Sequence, residues 1–197
     1  MAKGKFIVLY GINNLGKTTQ ARLVVEKLRG EGRKANYLKY PVYELAPSGK
    51  MLNAYLRQGN PMKFSAREAQ MIYAFNRAQY EPVLRTALRT GTHIVAEDYW
   101  GTGVAWGVGA GVDENFLLEL NKHFNFEDLA ILLTGKRFET AVEKDHLHEK
   151  DLEFTNKVEQ VHQELAKEFG WKVVNGNQAV EDVSREIWEK VKGILST

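Results

Sequence analysis

The chain contains no cysteine. Disulfide cross-links and thiolate metal centres are thereby excluded, and a secreted scaffold held by bridges gains no support. It also lacks an excess of charge of either sign, because 27 basic and 25 acidic residues leave a formal net charge of +2. An electrostatic surface for nucleic acid or an acidic membrane is therefore not expected. No apolar run reaches the ~18 residues that suggest a membrane-crossing helix. Nor is there a repeat, a linker or a low-complexity segment to divide the chain. What remains is 197 residues, 44% hydrophobic and 26% charged, enough for one domain over residues 1–197 with one substantial core. The chain enters a strand and then a glycine-rich turn within about ten residues, too short a span for a secretory leader. The cytoplasm is the expected compartment.

That turn is the most informative stretch. Gly11-Ile12-Asn13-Asn14-Leu15-Gly16-Lys17-Thr18 matches the phosphate-binding pattern G-x-x-x-x-G-K-[ST]. An apolar, β-rich segment, Lys5–Tyr10, precedes it, and an amphipathic helical pattern, Thr19–Leu28, follows. Glycines let the backbone approach an anion closely, and amide N–H groups converge on it together with the positive end of the helix. Gly11, Asn13, Asn14, Leu15, Gly16, Lys17, Thr18 and Thr19 are therefore the candidate ATP-binding residues. Lys17 is expected to reach the β- and γ-phosphates, and the Thr18 hydroxyl to ligate Mg2+.

Further on, short apolar runs alternate with helical patterns. Strands are expected at 35–40, 92–96, 128–133 and 171–174, with helices at 48–57 and 65–88, the latter carrying Pro82 as a bend point. This alternation predicts an α/β fold, a parallel five-stranded sheet with helices on both faces. Ligands collect at the carboxyl ends of such strands, where the loops of Gly11 to Lys17, Pro41 and Glu97 would meet. Glu97 is expected to hold Mg2+, directly or through water, or to orient the acceptor. The alternative is a loop cap. Asp98 reads equally as a magnesium or substrate contact and as a solvated acid. The glycines of residues 101–111, interrupted by Trp106 and preceded by Trp100, suggest a loop folding around an aromatic ligand. Tyr73 and Arg77 lie four apart on one helix and could offer a ring face and a planar donor to a base, although each alone reads as a packed or salt-bridged residue. Residues 136–151, dense in charge, read as a short lid or as a solvated helical face, with Arg137, Lys144 and Lys150 as candidates to stabilise transferred charge. His146 and His148 read as exposed histidines.

Several segments, in order, resemble those of thymidylate kinases, which transfer the terminal phosphate of ATP to dTMP. They are the phosphate loop, Lys39-Tyr40-Pro41, Ser48–Leu56, Tyr73–Arg77, Tyr99–Trp106 and Val112–Asn121. The resemblance covers nearly the whole chain and implies a P-loop nucleoside monophosphate kinase-like fold with a lid. It also implies ATP and dTMP as partners and a homodimer; the candidate catalytic residues are Lys17, Glu97 and Arg137, with Mg2+ as the expected cofactor. Carried over position by position, it implies an acceptor site of Tyr40, Pro41, Leu56, Tyr73, Arg77, Gly103 and Trp106, with Tyr73 stacked on thymine and Arg77 at its edge; Lys39, and Asp98 through a bridging metal, are the candidate contacts to the acceptor phosphate. The chain departs from the family in three places. Asn13 replaces a common acid, Glu97-Asp98-Tyr99 stands where Asp-Arg-[Tyr or His] is usual, and an arginine soon after Pro41 is missing. The other readings are a deoxynucleoside kinase, with Glu97 as base toward a sugar hydroxyl, and a nucleotide-binding regulatory protein with little catalysis.

Overall fold

The computed structural model describes residues 3–137 and 152–195. Five strands, β1 (Phe6–Tyr10), β2 (Ala35–Lys39), β3 (His93–Glu97), β4 (Leu129–Thr134) and β5 (Lys172–Asn175), form one sheet in the order β2-β3-β1-β4-β5. Every pairing is parallel. The α/β fold read from the sequence is the one observed, with strand limits displaced by one residue in most cases. The inner strands β1 and β3 are buried at every position, as expected of strands covered on both faces.

Seven helices connect and flank the strands: α1 (Lys17–Gly30), α2 (Ser48–Arg57), α3 (Ala66–Arg89), α4 (Trp100–Gly109), α5 (Glu114–Asn121), α6 (Leu152–Glu168) and α7 (Val180–Leu195). Right-handed crossovers decide where they lie. The step from β1 to β2 runs one way across the sheet, whereas the later steps run the other, so α1 is placed opposite α3, α4 and α6. The packing agrees, for α1 meets α7, while α4 meets α3, α5 and α6. Because β1 and β3 are neighbours whose onward connections leave over opposite faces, a crevice opens beyond their carboxyl ends.

One sequence reading changes here. Residues 100–109 form a helix, not a loop around a ligand. Glycine is a poor helix former, but these glycines are packing notches. A β-carbon at Gly101 would stand 2.3 Å from Cη2 of Trp171, one at Gly107 2.6 Å from Leu117, and one at Gly109 2.7 Å from Val158. Trp100 is a core residue, edge-on to Trp171, Phe126 and Phe169, with its indole N–H bonded to Glu127. Pro82 lies inside α3, which runs from Ala66 to Arg89. A capping box starts that helix, Ser65 accepting from the Glu68 amide and Glu68 from the Ser65 amide.

Candidate active site

The phosphate loop is held in backbone conformations that demand its residues. Gly11 has φ 132° and Gly16 φ 81°, and a β-carbon on Gly11 would stand 2.5 Å from the Leu133 carbonyl oxygen. Asn14 also takes a positive φ of 65°, a conformation that asparagine tolerates better than most residues. Helix α1 begins directly after Gly16 with neither a side-chain cap nor an acid in its first turn, so its opening amides face the crevice uncompensated. Lys17 is buried and donates to the carbonyls of Gly11, at 2.8 Å, and Ile12, at 2.9 Å. The same ammonium lies 3.6 Å from Asp98 Oδ1.

Glu97 occupies the carboxyl end of β3, level with Leu9 of β1 and Lys39 of β2. Three donors surround it. Thr18 Oγ1 and Tyr37 Oη donate to Oε2 at 2.6 and 2.7 Å, and Lys39 Nζ pairs with Oε1 at 2.9 Å. Burial by itself would raise its pKa, but the Lys17 and Lys39 charges and these hydrogen bonds outweigh that and hold the carboxyl below its usual range. Asp98 goes the other way. Burial, reinforced by the Glu97 charge, keeps its carboxyl above the ordinary value despite Lys17, Lys39 and the hydrogen bond from Thr102. The sequence reading missed Tyr37, since nothing local to β2 shows that its ring will cross to Glu97.

A cavity of about 520 Å³ joins these groups to a second, aromatic chamber. At one end it is lined by Asn13 to Gln20 and by Gly176, Gln178, Val180 and Val183. Lys39, Tyr40, Pro41, Glu97, Asp98 and Thr102 form its middle, and Tyr43, Tyr55, Leu56, Arg57, Gln70, Tyr73, Arg77, Gly103 and Trp106 its far end. Every acceptor-site residue expected from the sequence thus lines one space. Arg137 does not line it; this residue, at the start of the expected lid, is the last one described before residue 152, and Lys144, Lys150, His146 and His148 lie outside the described residues.

The far chamber is built by α2, α3 and α4. Asn76 is fully buried and ties α3 to the segment after β2, donating to the Val42 carbonyl and Ser48 Oγ and accepting from the Val42 amide. Its role is structural, and it sets the neighbouring Arg77 at a fixed distance from Pro41. Tyr73 packs with Tyr43 and Phe64 against Tyr55, Leu56 and Ala69. Arg77 is 3% exposed, and its Nε and Nη2 have no hydrogen-bond partner among the described residues. Burial lowers its pKa, the surrounding tyrosines only partly opposing this. A buried cation without a carboxylate is costly unless something else supplies an acceptor.

Comparison with known proteins leads to the same place. A family model described as thymidylate kinase matches residues 9–187. Thymidylate kinase from Homo sapiens is 28% identical over 193 residues, covering 94% of this chain and 88% of that one. The enzyme from Dictyostelium discoideum is 26% identical over 193 residues, covering 94% and 83%, and a probable thymidylate kinase from Methanocaldococcus jannaschii is 28% identical over 201 residues, covering 98% and 99%. A solved thymidylate kinase from Candida albicans superposes with a TM-score of 0.84 at 24% identity, covering 98% of this chain and 93% of its own, and so shares the fold. With a phosphate loop, an acid at the end of β3 and an aromatic chamber holding a buried arginine all on one cavity, the match spans the site as well as the sheet: the chain belongs to the thymidylate kinase family.

Proposed function

We propose that this protein transfers the γ-phosphate of ATP to dTMP, giving ADP and dTDP. The observation that carries the reading is the continuity of the cavity. It leads from the phosphate loop past Lys17, Glu97 and Asp98 to Arg77, whose Nε and Nη2 have no hydrogen-bond partner among the described residues. Phosphoryl transfer needs positioning and charge neutralisation more than covalent chemistry by the protein. Lys17 exchanges its carbonyl partners for phosphate oxygens, and the α1 amides receive the β-phosphate. Tyr73 offers a ring face to thymine and Arg77 donates to its edge. Lys39, with one end on Glu97, is the cation placed to meet the acceptor phosphate where the family's arginines are missing.

The residues present also fit Mg2+. Thr18 Oγ1 and Glu97 Oε2 are paired hard oxygen ligands at the mouth of the loop. Among the described residues no cluster of three or more His, Cys, Asp or Glu could hold a metal by itself, and Mg2+ is commonly bound by one or two carboxylates with substrate phosphates and water. Bound there, it would neutralise charge on the β- and γ-phosphates.

We also propose a cytoplasmic homodimer with no nucleic-acid or membrane partner. Met71 and Phe75, one turn apart, and Val83 further along leave α3 with apolar side chains exposed, which a second copy would cover. No helix of the described residues is long and apolar enough to cross a membrane. ADP formation measured with ATP, Mg2+ and a panel of nucleosides and nucleoside monophosphates tests the activity, and sedimentation tests the dimer. Turnover of thymidine with none of dTMP would replace the proposal with a deoxynucleoside kinase, in which Glu97 would act as base toward a sugar hydroxyl. Tight nucleotide binding with no turnover at all would indicate a regulatory protein.

A further inference from the structure

The chamber holds a second polar group that no motif points to. Gln70 lies seven residues before Arg77 on α3, two turns of the same face, with Tyr73 between them. Side chains on a helix lean toward its N-terminus, so the Arg77 guanidinium reaches back over the intervening turn. The two meet at Gly103. A β-carbon there would stand 3.2 Å from Gln70 Oε1, 3.2 Å from Arg77 Nη2 and 3.4 Å from Arg77 Nη1. An acceptor and two donors thus lie close together against Gly103 in the cavity wall. Gln70 is buried, lines the cavity, and its carboxamide has no hydrogen-bond partner among the described residues. Neither group satisfies the other, since Arg77 Nη2 is unpartnered. The adjacent cation favours the orientation in which the amide oxygen, not its NH2, lies on the Arg77 side. Leaving the Arg77 donors buried and unpaired is unfavourable unless a ligand completes them, and the Gln70 carboxamide opens to the same cavity beside them.

We infer that Gln70 is a specificity residue for the base, accepting the N3–H of a keto-pyrimidine while Arg77 donates to its O4. This deepens the proposed function and rests on it for the identity of the acceptor. The logic is the order of donor and acceptor along one edge. Thymine and uracil present N3–H beside C4=O, which complements the Gln70 oxygen beside the Arg77 N–H groups. Cytosine presents a bare N3 beside an amino group, placing acceptor against acceptor and donor against donor. A buried site built to pair polar groups rejects a ligand that leaves them unpaired far more strongly than an apolar pocket rejects a size change.

Binding of dTMP and N3-methyl-dTMP, measured by calorimetry without ATP, tests the assignment in wild type and Gln70→Ala. Wild type is expected to prefer dTMP by at least about tenfold. In Gln70→Ala, dTMP affinity should fall by about tenfold while N3-methyl-dTMP affinity is held or improved, so that the preference collapses. Gln70→Met, close to glutamine in size, should show the same loss of dTMP affinity, with ATP binding and the melting temperature unchanged in both variants. Equal weakening of both ligands, or retention of wild-type dTMP affinity in both variants, overturns the inference. So does a wild type that does not distinguish the ligands. The two readings fail separately. A protein with the expected binding pattern but no dTDP formation loses the proposed activity and keeps Gln70 in its role. Normal turnover with an unchanged preference in the variants does the reverse.

Discussion

Thr18 and Glu97, 79 positions apart in the chain, share a 2.6 Å hydrogen bond in which the hydroxyl donates to the carboxylate. One residue opens α1 and the other closes β3, and the parallel pairing of β1 with β3 brings them together. The same carboxylate takes Tyr37 and Lys39 from β2. Glu97 is therefore both the expected magnesium partner and the anchor that aligns side chains of α1 and β2 at the crevice.

Replacing Lys17 by methionine should leave the fold intact and abolish most turnover. The ammonium is the cation set in the loop itself, and electrostatic contacts of this type are worth about 3 to 4 kcal/mol in the transition state, a loss of several hundredfold in kcat. Steady-state kinetics beside a melting curve checks this. Near-normal kcat would remove Lys17 from the chemistry.

Glu97→Gln keeps the size of the side chain but sets an NH2 among three donors. Activity should fall, with half-saturation by Mg2+ shifted to a higher concentration. Stability provides a second readout. The folded-state pKa of Glu97 lies below its unfolded value, so its contribution is complete above the unfolded pKa of ~4.3 and is lost as pH falls through the folded one. The stability gap between wild type and Glu97→Gln should accordingly shrink on acidification below about pH 4.3. A gap independent of pH would contradict the assignment.

His162 is fully buried on α6, with Nδ1 at 3.0 Å from the Val158 carbonyl oxygen and Nε2 without a partner among the described residues. Burial drives its pKa down to about 3. The unfolded chain takes up this proton at ~6.5 while the folded chain does not, so stability is lost as pH falls below 6.5, by up to about 1.4 kcal/mol per unit. Denaturant titrations from pH 7 to 4.5 should show this slope, and His162→Leu should flatten it.

Two glycines in helices should respond oppositely to alanine. Helix propensity favours alanine by about 1 kcal/mol at either. At Gly193 in α7 no atom lies within 4 Å of a β-carbon, so Gly193→Ala should stabilise by about that amount. At Gly101 the new methyl would meet the Trp171 ring, itself stacked on Tyr10 at 4.1 Å. Overpacking of about 1 to 3 kcal/mol there should exceed the propensity gain and lower the melting temperature.

Arg77→Leu should raise the stability of the free protein while weakening dTMP binding. It removes a buried cation that has no carboxylate partner among the described residues and only the Phe124 ring, 5.7 Å away, to offset a charge whose burial is unfavourable. A paired rise in melting temperature and in KM for dTMP, with KM for ATP unchanged, is the expected signature of function held at the expense of stability. A fall in stability would make Arg77 a structural residue.

The phosphate loop was legible in the sequence because its chemistry is local. The strand, the two glycines, the lysine and the helix lie within one continuous stretch, and each residue type answers a backbone or charge requirement set by its neighbours in the chain. The alternating apolar runs specified a parallel sheet covered on both faces for the same reason, since a strand buried on two sides has no polar face to offer. The resemblance in ordered motifs further placed Tyr73, Arg77, Gly103 and Trp106 on a single site. Tertiary structure alone decided the rest. It made a helix of the glycine-rich stretch after Tyr99, because notches that look flexible along the chain are filled by Trp171, Leu117 and Val158 from elsewhere. It sent Trp100 to the core, brought Tyr37 to Glu97 across strands, and set Gln70 beside Arg77 where Gly103 leaves room. Such pairings depend on sheet order and helix crossing, which bring together residues far apart in sequence and unmarked by any local pattern.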